Sequence, residues 1–221
     1  IKNSDDVPNQ ILIEVKNEEI DASRSFYTGL GVTSFPTTGL VICIDPGHGG
    51  SDPGAMNRSL GLMEKDINLD IALRLSKILL KQGYNVVLTR DDDRDVSYPG
   101  SSAKEELGSR VRIANDMNAD VFISIHCNAS YNSSIKGASS HWCKPEDRPL
   151  ASDILDSMGN GCDVRQRGVI RNQFYVLRHT KMPAVLVETS HLSNPAEARL
   201  LNDADFRQKV AEAIASGLRQ Y

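Results

Sequence analysis

Four side chains in this sequence are of the types that hydrolytic metal chemistry requires: His48, Glu64, His126 and Glu188. Singly, each has a plain structural explanation. A histidine after a strand is usually a satisfied polar or loop residue, and this applies to His141, His179 and His191 as well. Glu64 reads as a favourable negative charge at a helix N-terminus. Glu188 is harder to dismiss, because it closes the apolar run 184–187, where an unpaired carboxylate is costly. It needs a partner, either a metal-bound water or a basic side chain. Taken together the four suggest more. Catalytic zinc takes three protein ligands and keeps one position for water, and two imidazoles with one carboxylate form such a set. His48, Glu64 and His126 would supply it from three separate elements. Gly47, Gly49, Gly50 and Gly54 crowd around His48 and permit tight backbone close to a ligand. A bound zinc lowers the pKa of its water to about 7 and polarises a carbonyl. Glu188, as a carboxylate that is not a ligand, would take the water's proton and deliver it to a leaving amine. Asn128 is a candidate hydrogen-bond donor to substrate. Cys127 is not expected as a fourth ligand, since adjacent residues on an extended strand point to opposite faces.

The elements that must position these residues alternate between strand and helix. Residues 40–44 form a continuous apolar run, as expected of a strand buried on both faces, and end in the turn signal Asp45-Pro46-Gly47. Residues 65–82 carry Ile67, Ile71, Leu75, Ile78 and Leu79 at helical spacing, with Gly83 as the stop. A strand at 85–89, a helix at 105–118 and a strand at 119–125 follow, the last delivering His126. Beyond it, strands are expected at 137–142, 174–177 and 184–187, and helices at 149–158 and 206–221. Strands joined by crossover helices give an α/β fold: a mostly parallel twisted sheet of about six strands, with helices on both faces. In such sheets ligands bind beyond the carboxyl ends of the strands. His48, His126 and Glu188 each follow an apolar strand and so fall on that rim, with Glu64 at a helix mouth nearby. Residues 40–221 are expected to form a single catalytic domain. Residues 1–39, polar and turn-rich apart from a β-like run at 10–15, read as a linker or the remnant of a preceding module.

Composition removes several classes of function. Twenty-five basic against 29 acidic residues give a net charge of −4, so no global positive field draws the chain to nucleic acid. No apolar run approaches the roughly 20 residues that span a bilayer. The first residue is Ile1 rather than Met, as in a processed or trimmed product, so the lack of a targeting segment says little about the compartment. Cys43, Cys127, Cys143 and Cys162 contain no CxxC pair, which argues against a thiolate zinc knuckle. Cys43 and Cys127 are expected as small core residues, and disulfides are not required. The glycine-rich loop lacks both the GK[ST] ending and the GxGxxG spacing of nucleotide-binding loops.

Six segments then occur in order: Val41-Ile-Cys-Ile-Asp-Pro-Gly-His-Gly-Gly50, Glu64-Lys-Asp-Ile-Asn-Leu69, Val87-Leu-Thr-Arg90, Arg112-Ile-Ala-Asn115, Ala119-Asp-Val-Phe-Ile-Ser-Ile-His126 and Pro183-Ala-Val-Leu-Val-Glu188. Over residues 40–221 the chain resembles the zinc N-acetylmuramoyl-L-alanine amidases of bacterial cell-wall hydrolysis, amidase type 3. The resemblance implies one zinc per chain held by His48, Glu64 and His126, with Glu188 as the catalytic glutamate. It implies hydrolysis of the amide between the lactyl group of N-acetylmuramic acid and the L-alanine of the stem peptide. Peptidoglycan is then the partner, the setting is extracytoplasmic, and a monomer is expected. Two departures bear on substrate preference. Ser190-His191 stands where the family usually has Gly-Phe, and Cys127 stands where alanine is common. His191 is therefore a candidate contact to the stem peptide, or an additional proton donor. The stretch between His126 and Glu188 is too short for the occluding helical insertion of some periplasmic relatives, so activity without an activator is expected. Two other readings compete. One is a zinc carboxypeptidase with Arg171 or Arg178 as a carboxylate clamp. The other is a peptidoglycan-binding module that has lost catalysis, against which the retention of all four site residues argues.

Overall fold

The computed structural model describes residues 39–221. The β-like run expected at 10–15 lies outside the described residues. In chain order the elements are β1 (Val41–Pro46), the short hairpin strands β2 (Met56–Asn57) and β3 (Leu62–Met63), α1 (Glu64–Lys81), β4 (Asn85–Leu88), α2 (Ala103–Asp116), β5 (Val121–Asn128), β6 (Ala138–Trp142), α3 (Asp147–Cys162), β7 (Gln166–Arg171), α4 (Tyr175–His179), β8 (Ala184–His191), α5 (Pro195–Asn202) and α6 (Ala204–Gln220).

Six strands form the central sheet in the order β4-β1-β5-β8-β6-β7. The pairs β1–β4, β1–β5, β5–β8 and β6–β7 are parallel, and β6 runs antiparallel to β8. The sheet is therefore mostly parallel, as the alternation of apolar runs and amphipathic segments implied. Side chains of successive strand residues alternate between faces, and here both faces are covered. Ile42, Ile44, Ile123, Ile125, Val185 and Val187 pack in one core with residues of α1, α3 and α6, including Leu75, Ile154 and Ile214. Cys43, Phe122, Ala184 and Leu186 face the other way, into a smaller core with Val111 and Ala114 of α2 and Val176 and Leu177 of α4. Each large aliphatic side chain removed from water contributes roughly 1.5–3 kcal/mol.

Three local departures from expectation have physical causes. Residues 174–177 were expected as a strand but lead into helix α4. A four-residue apolar run carries no periodicity able to separate strand from buried helix. At the end of that helix the Thr180 hydroxyl donates to the carbonyl of Val176 at 2.8 Å. Strand β7 was not expected, because an edge strand with the sequence QRGVIR buries little and shows no apolar run. Helix α5 was also missed, although its start is written in the sequence: Asn194 accepts hydrogen bonds from the amides of Ala196 and Glu197, and Pro195 takes the first turn.

Candidate metal centre

The loop after β1 brings His48 to the carboxyl edge of the sheet in an uncommon conformation. His48 has φ +63°, a left-handed backbone that a non-glycine residue adopts at a cost. Two buried arginines hold it there. Arg90, fully shielded from solvent, donates from Nε to the carbonyl of Pro46 and from Nη2 to those of Gly47 and Lys65. Arg110 donates to the carbonyls of Pro46 and His48. Its charge is balanced by Asp45, whose carboxylate accepts from Arg110 at 2.7 Å, from Thr89 at 2.6 Å and from Ser124 at 2.7 Å. Burial alone would raise the Asp45 pKa, but the Arg110 charge and these hydrogen bonds outweigh it and hold the carboxyl below its ordinary value.

Glu64 opens α1 and points between two imidazoles. Its Oε1 lies 3.1 Å from His48 Nε2 and 3.0 Å from His126 Nδ1. The amide of Cys127 donates to the same oxygen at 3.0 Å, and the amide of Ala55 donates to Oε2 at 2.8 Å. His126 sits near the carboxyl end of β5 and meets His48 edge-on, with ring centroids 4.9 Å apart. Ligand atoms of His48, Glu64 and His126 all lie within 4.8 Å of one another, a span that one ion with bonds of about 2 Å can bridge. His48 Nδ1 donates to Asp52 at 2.7 Å, which leaves Nε2 as the nitrogen turned toward Glu64 and orients the ring as carboxylate partners orient metal-ligating histidines. Two glycines make room for this approach. A Cβ on Gly47 would lie 2.2 Å from the His126 ring, and one on Gly54 would lie 2.7 Å from both Glu64 and His48.

Electrostatics favours a cation at this point. Burial opposes a charge on His48, but the hydrogen bond and charge of Glu64, then those of Asp52, override it and raise its pKa to about 9. Burial likewise pushes Glu64 up, and the two histidines more than reverse this, holding its carboxyl far below the usual range. A site that binds a proton so tightly around one carboxylate has the donor set and the negative potential to hold a divalent ion instead. It is also reachable: the His48 and His126 side chains are 24% and 19% exposed.

Glu188 is the register partner of His126 on the neighbouring strand. The strand continues past it to His191, so Glu188 lies within β8 rather than after it. Its Oε2 is buried and has no hydrogen-bond partner among the described residues, and burial pushes the carboxyl pKa up to about 7. The surrounding charges divide, His126 and His48 lowering it and Glu64 raising it.

The remaining expected site residues separate. Asn128 closes β5, half-buried, with its carbonyl accepting from the amide of Leu192. His191 is only 2% exposed, and its Nδ1 lies 3.0 Å from the carbonyl of Gly137. Glu197 of α5 accepts from the backbone amides of both His191 and Gly137. A ring enclosed in this way joins α5 to the sheet and is not offered to the rim, which runs against the expected contact with a stem peptide. The Cys127 side chain turns into the core beside Asn68 and Thr189, away from a ligand position, and burial raises its thiol pKa well above normal. Arg171 is engaged with the Cys143 carbonyl and lies over the Trp142 ring at 5.5 Å. Sequence reasoning missed Asp52, Arg90, Arg110 and Asp45 as the frame of the site. Of these, Asp45 and Arg90 stood inside the recognised segments, but nothing in their spacing told that they are buried.

A family model described as N-acetylmuramoyl-L-alanine amidase matches residues 42–220. The germination-specific N-acetylmuramoyl-L-alanine amidase of Bacillus subtilis (strain 168) is 35% identical over 196 residues, covering 85% of this chain and 82% of that protein. The probable cell wall amidase LytH of Staphylococcus epidermidis is 36% identical over 191 residues, covering 86% of this chain but only 61% of its own length. Among solved structures, an N-acetylmuramoyl-L-alanine amidase from Clostridium difficile 630 superposes with a TM-score of 0.77 at 34% identity, covering 84% of this chain and 97% of that one. The catalytic domain of CwlV, the amidase from Bacillus (Paenibacillus) polymyxa var. colistinus, gives 0.75 at 36% identity, covering 82% and 97%. The match extends from β1 through α6 and includes every element that carries the His48, Glu64, His126 and Glu188 side chains, so the chain belongs to the N-acetylmuramoyl-L-alanine amidases of the amidase type 3 family.

Proposed function

We propose that this chain hydrolyses the amide joining the lactyl group of N-acetylmuramic acid to the L-alanine of the peptidoglycan stem peptide, using one zinc ion held by His48, Glu64 and His126. The observation that carries the reading is the convergence of those three donors within 4.8 Å beside a buried carboxylate oxygen, Glu188 Oε2, that has no partner among the described residues. When bound, zinc polarises the scissile carbonyl and acidifies water. The protein's residues do the rest. Asp52 orients the His48 ring, and the Ala55 and Cys127 amides fix the Glu64 carboxylate. Glu188 accepts the proton of the attacking water and returns it to the departing alanine nitrogen. A carboxyl whose pKa sits at about 7 is suited to both halves of that transfer near neutral pH. Asn128, at the end of β5 near His126, is the candidate donor to substrate.

Several further expectations stand with this reading. The catalytic unit is taken to begin at residue 40, to act outside the cytoplasm on peptidoglycan, and to work as a monomer. The partly accessible His48 and His126 side chains, and the stretch between His126 and Glu188 that the sequence reads as too short for an occluding insertion, support activity without an activator. Mass analysis of muropeptides treated with the zinc-loaded protein tests the core of the proposal. A freed lactyl carboxyl with a free L-alanine amine is the expected product pair, with elemental analysis giving one zinc per chain. A shortened stem peptide with the lactyl amide intact would instead indicate a carboxypeptidase and overturn the proposal.

A further inference from the structure

A row of polar groups lies on the far side of Glu188 from His126, and the reaction as described does not use it. In the register of the sheet, His126 of β5 pairs with Glu188 of β8, and Glu188 pairs with Ser139 of β6. Residues paired in register project to the same face, and across the antiparallel β6–β8 pair their Cβ atoms lie about 4.5–5.5 Å apart. Glu188 is thus flanked by the imidazole of His126 on one side and the hydroxyl of Ser139 on the other. Ser139 is in turn bound to His141, two residues along β6 and on the same face: Ser139 Oγ lies 3.1 Å from His141 Nε2. The other ring nitrogen, Nδ1, lies 2.8 Å from Asn172 Nδ2. Phe174 closes the ring edge-on at 5.4 Å.

These contacts have a direction. The Asn172 side-chain nitrogen can only donate, so His141 Nδ1 must accept, and the ring's single proton then sits on Nε2. Nε2 donates to Ser139 Oγ, which fills an acceptor position on the hydroxyl and leaves its own proton to be given elsewhere. The scheme requires a neutral imidazole. Burial, and then the nearby His126, hold the His141 pKa below its ordinary value. The acceptor beside Ser139 in register is Glu188, whose Oε2 is buried and has no partner among the described residues. The terminal torsion of a glutamate is soft, so turning the carboxylate toward a hydroxyl on the adjacent strand costs little.

We infer that Ser139, oriented by His141 and Asn172, is a positioning residue for Glu188: its hydroxyl donates to Oε2 and holds the carboxylate with its other oxygen turned to the proton in flight. This rests on the reading of Glu188 as the proton-transfer group and extends it to a four-residue chain, Asn172 to His141 to Ser139 to Glu188. The groups that act on Glu188 from the other elements are His126 and Cys127 on β5, His48 after β1 and Glu64 on α1; Asp147 of α3 binds the opposite end of β8, at the Ala184 amide. Among the acceptor groups of that set, Glu188 Oε2 is the buried oxygen that lacks a donor.

The test is steady-state kinetics of the zinc-loaded Ser139→Ala, Ser139→Thr and Asn172→Ala variants on a purified muropeptide, beside zinc content and thermal unfolding. A hydrogen bond to a charged group is worth enough that Ser139→Ala should lose about tenfold or more in kcat. KM and zinc stoichiometry should stay at the wild-type value, and Ser139→Thr, which keeps the hydroxyl, should recover most of the loss. Asn172→Ala, which frees the tautomer while leaving the residues of β6 unchanged, should lower kcat in the same sense. Wild-type kcat in Ser139→Ala, or no recovery in Ser139→Thr, overturns the inference. Loss of zinc or of cooperative unfolding in Ser139→Ala also overturns it, by making the role structural. If the wild-type protein itself releases no free alanine amine, the failure belongs to the proposed function, and the two failures are distinguishable.

Discussion

Each functional side chain pays for its position in a different physical currency. His48 carries backbone strain, Glu64 is buried between two imidazoles, and Glu188 is buried with one oxygen unsatisfied. The residue types were legible in the sequence, since two histidines and a glutamate on separate elements with a second glutamate on the same rim are what a zinc hydrolase requires. The buried frame was not, because the Asp45–Arg110 ion pair and the bonds of Arg90 to backbone carbonyls have no sequence spacing and come together only through the fold. His191 shows the opposite relation: a polar residue near the rim in sequence, with its ring enclosed by Gly137 and Glu197 in space. Two predictions belong to this scale. Glu188→Gln should retain zinc and lose about 10²–10⁴ in kcat, measured on muropeptides with zinc quantified in parallel. The same variant should alter stability in the metal-free protein. The folded pKa of Glu188, about 7, lies above its unfolded value, so the folded state holds its proton longer as pH rises. The contribution is complete below the unfolded pKa and is lost as pH climbs to about 7. Urea unfolding of metal-free wild type should therefore weaken by on the order of 3 kcal/mol between pH 4.5 and pH 7 from this group, and Glu188→Gln should lack that component. Parallel pH–stability curves for the two proteins would contradict it.

At the scale of elements, the strands whose burial is complete were readable as apolar runs, and the amphipathic helices as periodicity. What escaped was set by contacts rather than by pattern. Strand β7 is an edge, half-exposed and charged; helix α4 is a single turn and a half whose apolar residues cover the smaller core. The antiparallel step at β6 was equally hidden, and it is this step that sets Ser139 opposite Glu188. The approach of β1 to β5 tolerates no side chain at position 47, since a Cβ there would lie 2.2 Å from the His126 ring. Gly47→Ala should therefore displace His126 and weaken zinc binding by about 10–100-fold, the scale seen when the support of a ligand is disturbed. A competitive chelator titration measures it, and wild-type affinity would show that the loop yields elsewhere. The anchoring of the same loop is tested from beneath. Asp45→Ala leaves Arg110 buried without its carboxylate and should cost about 3–5 kcal/mol in urea unfolding. Because the folded Asp45 pKa is depressed, its contribution is present above the unfolded value near 3.8 and lost as pH falls below it.

For the whole molecule, the question is which part of the chain is sufficient. Every group assigned to the site lies between Asp45 and Glu197, and the sheet that carries them is complete within β1 to β8. The first strand is tied at its start by contacts inside this unit: the Val41 amide donates to Asp120 at 2.7 Å, and the Asn85 amide donates to the Leu40 carbonyl at 2.9 Å. Among the described residues, Leu40 is therefore the first whose loss would remove a ladder bond. A bound metal would add to the same unit, since an ion that binds only the folded state stabilises it by RT ln(1 + [L]/Kd). A chain beginning at Gly39 should thus unfold cooperatively, bind one zinc per chain, show a higher Tm with zinc than with chelator, and match the kcat of the full sequence on muropeptides. Calorimetric melting of both chains with and without chelator, beside their kinetics, decides the point. If the shortened chain keeps its zinc-dependent Tm but loses kcat or gains KM, then residues 1–38 reach the substrate and the catalytic unit is larger than its sheet. If it loses the Tm shift itself, the segment supports the metal frame, and the sufficiency of the sheet is wrong.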